Sequence, residues 1–582
     1  MVAAMVTASR IRTLEPVVLI PACCGGLFIV GVQTAASEAS GSASSAWAPL
    51  RSGAFRAVWL MTLAVNIGNW MQAVGAQWLV VGAPQADVLI ALQQAAGMLP
   101  MLLVAVPAGV MADILDRRRL IIGVQLCTMA ICAGLTMVTL DGAVHPGVLL
   151  AMQFALGISV ALSVPALGAL TPDLVPGSQL TQAAALGSIS MNVARAVGPA
   201  IAGLLIPRMG PASVFAADGL AVAMFIVVML RLRPAHRPAT HRPERFASGL
   251  RAGARYVRHA PVVQRIMLHA LLFLLPASAL WALLPMFASR HLHLSVVGYG
   301  ILLAALGVGA ILGALVQPRL RAALCGRRIA LAAGATYVCV ILVLASVQQP
   351  IVAAAALVPA GIAWVVALAH VNAEVQNVLP AWVRARGLAV YQVVIFGGQG
   401  VGALAWGFCS SQIGTRWTFV AAAGCLAAGV WAAWHRPLHD TTRMSHHPAA
   451  MYPEHPAVEV EPHPDAGPVL VVCKYQVAEA DEDAFVAAMH DVGRSRQRTG
   501  GNGWRLSRPL GTAGEFVETY ALLSWDEHQR HIHDRNTTWE KSLQDRAASL
   551  AAGPPRVERF VAPGAPVSAD DVRALDLVSA TA

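Results

Sequence analysis

The sequence predicts an all-α membrane protein: twelve transmembrane helices in two parallel six-helix halves, followed by a small cytoplasmic α+β domain. Three observations lead there. Of 582 residues, 57% are hydrophobic and only 12% charged, where a soluble domain carries about 25% charged residues. From Phe55 to Trp434, apolar runs long enough to cross about 30 Å of hydrocarbon as helices alternate with short polar joints. A single shift of 204 residues superposes Gly109 on Gly313, Arg117 on Arg321, Pro176 on Pro380, Gly198 on Gly402 and Gly203 on Gly407, the mark of a repeated half.

The runs occupy about 55–80, 88–112, 120–140, 147–170, 182–206, 214–232, 262–288, 296–317, 329–347, 351–378, 386–408 and 417–434. Internal prolines such as Pro100, Pro107, Pro165 and Pro199 are tolerated in membrane helices because neighbours satisfy the freed backbone groups. The joints after runs two, six, eight and ten carry Arg117 to Arg119, Arg231 to Arg258, Arg319 to Arg328, Arg384 and Arg386; those after odd-numbered runs hold only Arg208, Arg290 and Arg416. The positive-inside rule then places the arginine-rich joints and both ends of the bundle in the cytoplasm. The net charge of +10 belongs to those joints, not to nucleic-acid binding.

The chain divides into an N-terminal extension (1–50), a first bundle (51–230), a basic linker (231–260), a second bundle (261–435), a His/Pro-rich linker (436–467), an αβ domain (468–565) and a tail expected to be disordered (566–582). In the extension, Arg10 and Arg12 precede an apolar run from Leu14 to about Ala36. A signal sequence or an added span would put Arg51 and Arg56 outside, so a surface-lying or poorly ordered extension is preferred. The basic stretch FASGLRAGARYVR reads as a helix resting on the inner leaflet, with a plain topology anchor as its simplest role. Cys127, Cys132, Cys325, Cys339, Cys409 and Cys425 fall in or beside apolar runs and read as small buried residues. No cofactor and no metal site is expected.

The densest charge cluster of the first half is GVMADILDRRR, Gly109 to Arg119. Charges are costly in hydrocarbon, so it must be a tight surface loop. With the twelve runs, its G-x-x-x-D-x-x-x-R-R pattern resembles the major facilitator superfamily and its loop motif, departing from it at Ile114 and Asp116. Asn192 to Gly203, NVARAVGPAIAG, is similar to the glycine-proline motif of drug and siderophore exporters in that superfamily. LRSGAFRAVWL, NIGNWMQ and PDLVP resemble more narrowly its branch of enterobactin exporters, macrolide efflux proteins and transmembrane secretion effectors. The resemblance implies secondary active export of a siderophore or hydrophobic drug by alternating access, coupled to protons. It also implies a gating role for Gly109, Asp113, Asp116, Arg117, Arg118, Gly198, Pro199 and Gly203, with Asp113 latching the outward-facing state. Asp113 as a merely solvated turn former is the plain alternative. The expected partners are a small-molecule substrate, protons and the bilayer.

Arg195 lies deep in run five and must face a partner or water; it is grouped with the gating candidates. Asp218 in run six is the nearest acid in sequence and the candidate proton carrier, and both a structural ion pair with Arg195 and a coupling role are open. Asn66, Asn69, Gln72 and Gln77 in run one, with Gln93 and Gln94 in run two, follow a helical stripe and are candidates to line the substrate cavity. Trp70, Trp78, Trp281 and Trp364 are candidate aromatic walls, although packing is the simpler role for each alone. His269, His370 and Glu374 are weaker candidates, with Glu374 expected to pair with Arg384 or Arg386.

After the linker, the pattern reads as β-α-β-β-α-β: a strand from Pro468, a helix 481–499, strands near 502–510 and 514–524, a helix of about 526–552 and a strand 556–562. SWDEHQRH, Ser524 to His531, resembles the ferredoxin-like extension of the antibiotic-biosynthesis-monooxygenase type. That resemblance implies homodimerisation through this domain or a regulatory role. Enzyme activity lacks a nucleophile-base pair or metal spacing, and His528, His531 and His533 are expected on an exposed helix face. The alternative function is a membrane-anchored regulatory or monooxygenase-like module.

Overall fold

A computed structural model describes residues 20–21, 27–28, 47–104, 108, 111, 116–142, 144–232, 255–380, 382–435 and 462–562. Of the extension, only its last residues and an antiparallel pairing of Ile20–Pro21 with Leu27–Phe28 are described. Gly109 and Asp113, most of the basic linker, most of the His/Pro-rich linker and the tail lie outside the described residues.

The chain is mostly helical, and among the described residues ten helices are long and apolar enough to cross a membrane. The first half consists of α1 (Gly53–Val80), α2 (Ala86–Met98, its apolar run continuing to Val104), α3 (Arg117–Leu140), α4 (Pro146–Leu174), α5 (Leu180–Met209) and α6 (Ala212–Arg231). The second consists of α7 (Pro261–Met286), α8 (Val296–Ala323), α9 (Gly326–Ser346), α10 (Pro350–Val378) and α11 (Arg384–His435). Two of these differ from the twelve simple runs. The stripe of amides dilutes the hydropathy of α1, which is not among the ten although its 28 residues suffice to span. The last two runs form one helical stretch interrupted at Gly414, whose φ of 79° and ψ of 158° suit glycine.

Within the first half, α1 packs on α5 and α6, α3 on α4 and α6, and α2 on α4; within the second, α7 packs on α11, α8 on α10, and α9 on α10 and α11. The halves meet where α5 lies against α8 and α2 against α11. The glycines matched by the 204-residue shift occupy matched positions. A Cβ on Gly198 would come within 2.9 Å of the Ile67 carbonyl oxygen of α1, and one on Gly402 within 2.6 Å of the Leu275 oxygen of α7. Gly203 faces Val297 of α8, and Gly407 faces the Asp87 carbonyl of α2 at 2.9 Å. Each half therefore uses one glycine to close its own bundle and another to approach the other half, as close backbone packing in lipid requires.

The apolar core is distributed unevenly. Toward the arginine-poor face, one cluster runs across both halves, from Val74, Ile90 and Phe215 to Leu284, Tyr299 and Phe419. Toward the arginine-rich face the described residues of the halves form separate clusters, one around Ile121, Phe225 and Met229, the other around Tyr256, Val263 and Val378. The two halves are thus joined at one face and individually packed at the other.

The C-terminal unit holds β1 (Val469–Gln476), α12 (Glu482–Thr499), β2 (Asn502–Ser507), β3 (Glu515–Leu522), α13 (Trp525–His533), α14 (Thr538–Ala548) and β4 (Arg556–Val561). Its four strands lie in the order β2-β3-β1-β4, all neighbours antiparallel. Apolar residues of β1 and β3 alternate onto one face and pack against Phe485, Met489 and Val492 of α12. The single helix expected over about 526–552 is two, broken between His533 and Thr538. His528 and His531 are buried, at 1% and 0% exposure, which corrects the exposed face expected for them, whereas His533 is exposed. Cys127, Cys339 and Cys425 are also exposed instead of buried.

Candidate functional site in the helical bundle

Arg195 lies halfway along α5, beside two neighbouring indoles. Its guanidinium carbon is 5.5 Å from the ring centre of Trp70 on α1 and 5.8 Å from that of Trp281 on α7. Trp281 packs edge-on against Trp364 of α10 at 5.5 Å, and Trp364 packs against Tyr337 of α9 and Phe273 of α7, each at 6.1 Å. The cluster crosses the divide between the halves: Trp70 and Arg195 belong to the first, and Trp281, Trp364, Tyr337 and Phe273 to the second. Three of the four tryptophans singled out in the sequence thus come together. Trp78, the fourth, stacks on Tyr299 at 6.2 Å. Tyr337 and Phe273 were not foreseen, because aromatics in apolar runs carry no local mark of a shared cluster.

Among the described residues Arg195 makes no hydrogen bond and no ion pair, and its buried Nε has no acceptor. It does not pair with Asp218. That carboxyl is fully buried within the first half, against Gly68 of α1, with Oδ2 3.5 Å from the Cys132 thiol of α3 and Oδ1 without a hydrogen-bond partner.

The amide stripe is largely engaged inside the protein. Asn66 donates to the Ser190 hydroxyl of α5 at 3.2 Å, and Gln72, buried, donates to Gln153 of α4 at 3.0 Å. Gln77 accepts from the Tyr299 hydroxyl of the other half at 2.5 Å. No hydrogen bond accompanies Asn69, which is half-buried. Gln93 is buried with both amide atoms unpartnered among the described residues, and the Gln94 oxygen is likewise unpartnered.

A polar lock at the arginine-poor face was not anticipated. Asp87, at the start of α2, accepts from Arg290 at 3.0 Å and from the Ser410 hydroxyl at 2.8 Å, both from the second half. Arg290 was visible as one of few arginines in odd-numbered joints, and Asp87 occupies nearly the equivalent joint of the other repeat. Beneath this lock, Gly300 of α8 faces the Pro199 carbonyl of α5, a Cβ there coming within 2.7 Å, and Gly307 abuts Ala196. The glycine-proline motif therefore lies in the seam between the halves.

At the opposite face, the loop residues tie helices within one half. Asp116 caps α3 by accepting from the Arg119 backbone N–H at 2.9 Å. Arg117 pairs with Asp173 at the end of α4 at 3.1 Å. Arg118 donates to the Met229 carbonyl at 2.6 Å and to that of Leu230, satisfying the last turn of α6. Its repeat mate region behaves alike: Arg321 donates to the Ala369 carbonyl of α10 at 2.6 Å. His370 lies 3.8 Å from Glu374, and the His269 ring contacts the Arg265 carbonyl.

The C-terminal unit is fastened to this same face. Glu527 of α13 accepts from Arg255, just before α7, at 3.2 Å and from Arg535 at 2.6 Å and 3.1 Å. Arg535 lies over Trp382, in the joint before α11, at 5.1 Å, and Tyr256 meets the same indole edge-on. Burial works to raise the Glu527 carboxyl, and the two guanidiniums outweigh it, so the group titrates below the ordinary glutamate range.

A family model described as "transmembrane secretion effector" matches residues 44–566. The chain is 31% identical over 179 residues to the "Staphyloferrin A transporter" of Staphylococcus aureus (strain NCTC 8325 / PS 47), covering 31% of this chain and 44% of that protein. It is 27% identical over 207 residues to "Macrolide efflux protein A" of Enterococcus faecalis, covering 34% and 64%. The chain spans about half the length of the curated relatives it matches. Among solved structures, the nucleoside transporter NupG superposes with a TM-score of 0.53 at 13% identity, over 66% of this chain and 100% of that one. A bacterial homolog of the human lysosomal transporter Spinster does so with a TM-score of 0.53 at 16% identity, over 66% and 96%. These similarities are to transporters, not to enzymes, and the structural ones show a shared fold.

Proposed function

The chain belongs to the transmembrane secretion effector family, and from that membership we propose that it is a secondary active exporter of a small molecule, driven by protons. In this reading twelve spans cross the bacterial inner membrane with the arginine-rich face in the cytoplasm, and the two halves rock about a central site at Arg195. The observation that carries it is the uneven core, continuous across both halves at the arginine-poor face and divided at the other. Such a molecule is shut toward the outside and parts toward the cytoplasm, one of the two states that alternating access needs. The glycine-proline motif, Gly198, Pro199 and Gly203, forms the seam, Arg117, Arg118 and Asp116 hold the first half rigid as it moves, and Gly109 and Asp113 keep the gating role that the loop motif implies, with Asp113 latching the outward-facing state.

Asp218 is assigned as the proton carrier because it is a buried carboxyl in the first half with, among the described residues, an unpartnered oxygen and no ion pair. Each proton entering gains about 2.3 kcal/mol per 100 mV of membrane potential. A siderophore or a hydrophobic drug suits the site, given what the names of the relatives state of those proteins. The C-terminal sheet order fits a ferredoxin-like unit, which we assign a regulatory role and pairing into a homodimer.

The test is transport in proteoliposomes under an imposed pH gradient, with the chain cut after residue 440 as a second sample. An exporter moves its substrate up the gradient and retains measurable flux when truncated. A membrane anchor for an active tail moves nothing in either form.

A further inference from the structure

We propose that Arg195 receives the negatively charged group of an amphipathic substrate, whose flat apolar part lies against Trp281 and Trp364. The proposal rests on the exporter reading and narrows its substrate to an anion. A guanidinium at mid-depth in a membrane bundle needs a counter-charge or acceptors. Here its guanidinium carbon lies over the rings of Trp70 and Trp281, which sit side by side, and ring faces stabilise a cation without accepting its N–H hydrogens in place of a carboxylate. Among the described residues the side chain has no hydrogen bond or ion pair, and Nε is buried without an acceptor. Among the described residues, the acid nearest to it in sequence, Asp218, is turned to Gly68 and Cys132. What completes the site is a planar anion able to take the guanidinium fork, such as a carboxylate.

The surroundings fix the rest of the ligand. Trp281, Trp364, Tyr337 and Phe273 form one continuous aromatic wall in the second half, so an aromatic or otherwise flat apolar body is favoured beside the charge. The same arrangement ties binding to movement. Arg195 and Trp281 belong to different halves, and an anion that takes over the guanidinium weakens a contact that holds them together. A cationic drug gains nothing from this site and is repelled by it.

The experiment uses the full chain reconstituted in lipid vesicles and three probes of one shape: 2-naphthoate, its neutral amide 2-naphthamide, and cationic 2-naphthylmethylammonium. Equilibrium binding of each is measured, and flux of each is followed in the same vesicles. The expected result is naphthoate bound at least tenfold more tightly than the amide, with the cation weakest. Arg195→Gln reduces that preference to less than twofold, and Arg195→Lys, which keeps the charge, retains part of it and shows that the site still folds. Equal binding of the three probes, or a preference that survives Arg195→Gln, overturns the proposal. Flux of the amide or the cation with no binding of naphthoate overturns it while leaving the exporter reading in place. Arg195-dependent binding of naphthoate with no flux of any probe supports the anion site and counts against export.

Discussion

Asp87 and Arg290 meet at 3.0 Å across the divide between the two halves, 203 residues apart in sequence and at nearly equivalent places in the repeat. Asp87 is nearly buried while Arg290 is half exposed, and the Ser410 hydroxyl completes the acid's shell. This is the polar rim of the arginine-poor closure.

Removing that rim is expected to favour the state open at this face. Asp87→Asn loses one charge-assisted contact of a partly exposed pair, worth about 1 kcal/mol, so the open population rises several-fold. The exchanged pair, Asp87→Arg with Arg290→Asp, restores part of it. Thiol labelling of a cysteine at Gln77 on a cysteine-free background checks this, and labelling rates equal in all three forms reject the lock.

Filling the seam is expected to block transport with little loss of protein. A side chain at Gly307 runs into the backbone of Ala196, and one at Gly300 into the Pro199 carbonyl. Overpacking of this kind costs about 1–3 kcal/mol. Gly300→Val should therefore accumulate in the membrane but lose most flux, since the closed face no longer seats. Flux at the level of the unaltered protein would show that this approach is incidental.

Asp218→Asn keeps the size of the side chain and one acceptor oxygen for the Cys132 thiol while removing its titration. The expected outcome is loss of pH-gradient-driven flux with downhill exchange of substrate retained. If gradient-driven flux is unchanged, the proton is carried elsewhere and Asp218 is a structural group.

The C-terminal unit should lose stability on the acid side of neutrality. Burial, with Arg496 close by, holds the His531 imidazole well below its ordinary value, although the Thr499 backbone works the other way. The unfolded chain then binds a proton near pH 6.5 that the folded one does not, so this stability is complete above about 6.5 and falls below it by up to about 1.4 kcal/mol per pH unit. The depressed Glu527 carboxyl acts in the same sense at lower pH: its contribution is present above the unfolded value of 4.5 and lost as pH falls through the folded one. Hydrogen exchange of residues 469–561 in the full chain, compared between pH 7 and 5.5, reads the first effect, and His531→Leu should flatten it. A profile that is already flat in the unaltered protein contradicts the assignment.

Much of the bundle was legible because membrane spans are written locally. The charges of Arg117 and Arg231 mark the ends of α3 and α6 to within a few residues, and hydropathy does the rest. The shared shift also anticipated that Gly198 and Gly402, and Gly203 and Gly407, do the same work. Contacts between distant segments were not legible. Gln72 looked like a cavity residue because nothing near it in sequence shows that Gln153 waits on α4. The break after His533 depends on tertiary packing, and with it the burial of His528 and His531. Nearness in sequence suggested Asp218 as a partner for Arg195, whereas the direction of each helix face, which a single sequence does not give, sends the acid to Cys132 and the base to two indoles.

The central claim is that the two halves part at the face where Asp87 and Arg290 now join them. Spin labels at Gln85 and His293, flanking that pair on an otherwise cysteine-free chain in lipid, measure the separation without any knowledge of the substrate. The account predicts two populated distances, the longer one growing when Asp87→Asn is added. One short distance, unmoved by that substitution and by a pH gradient, would contradict it.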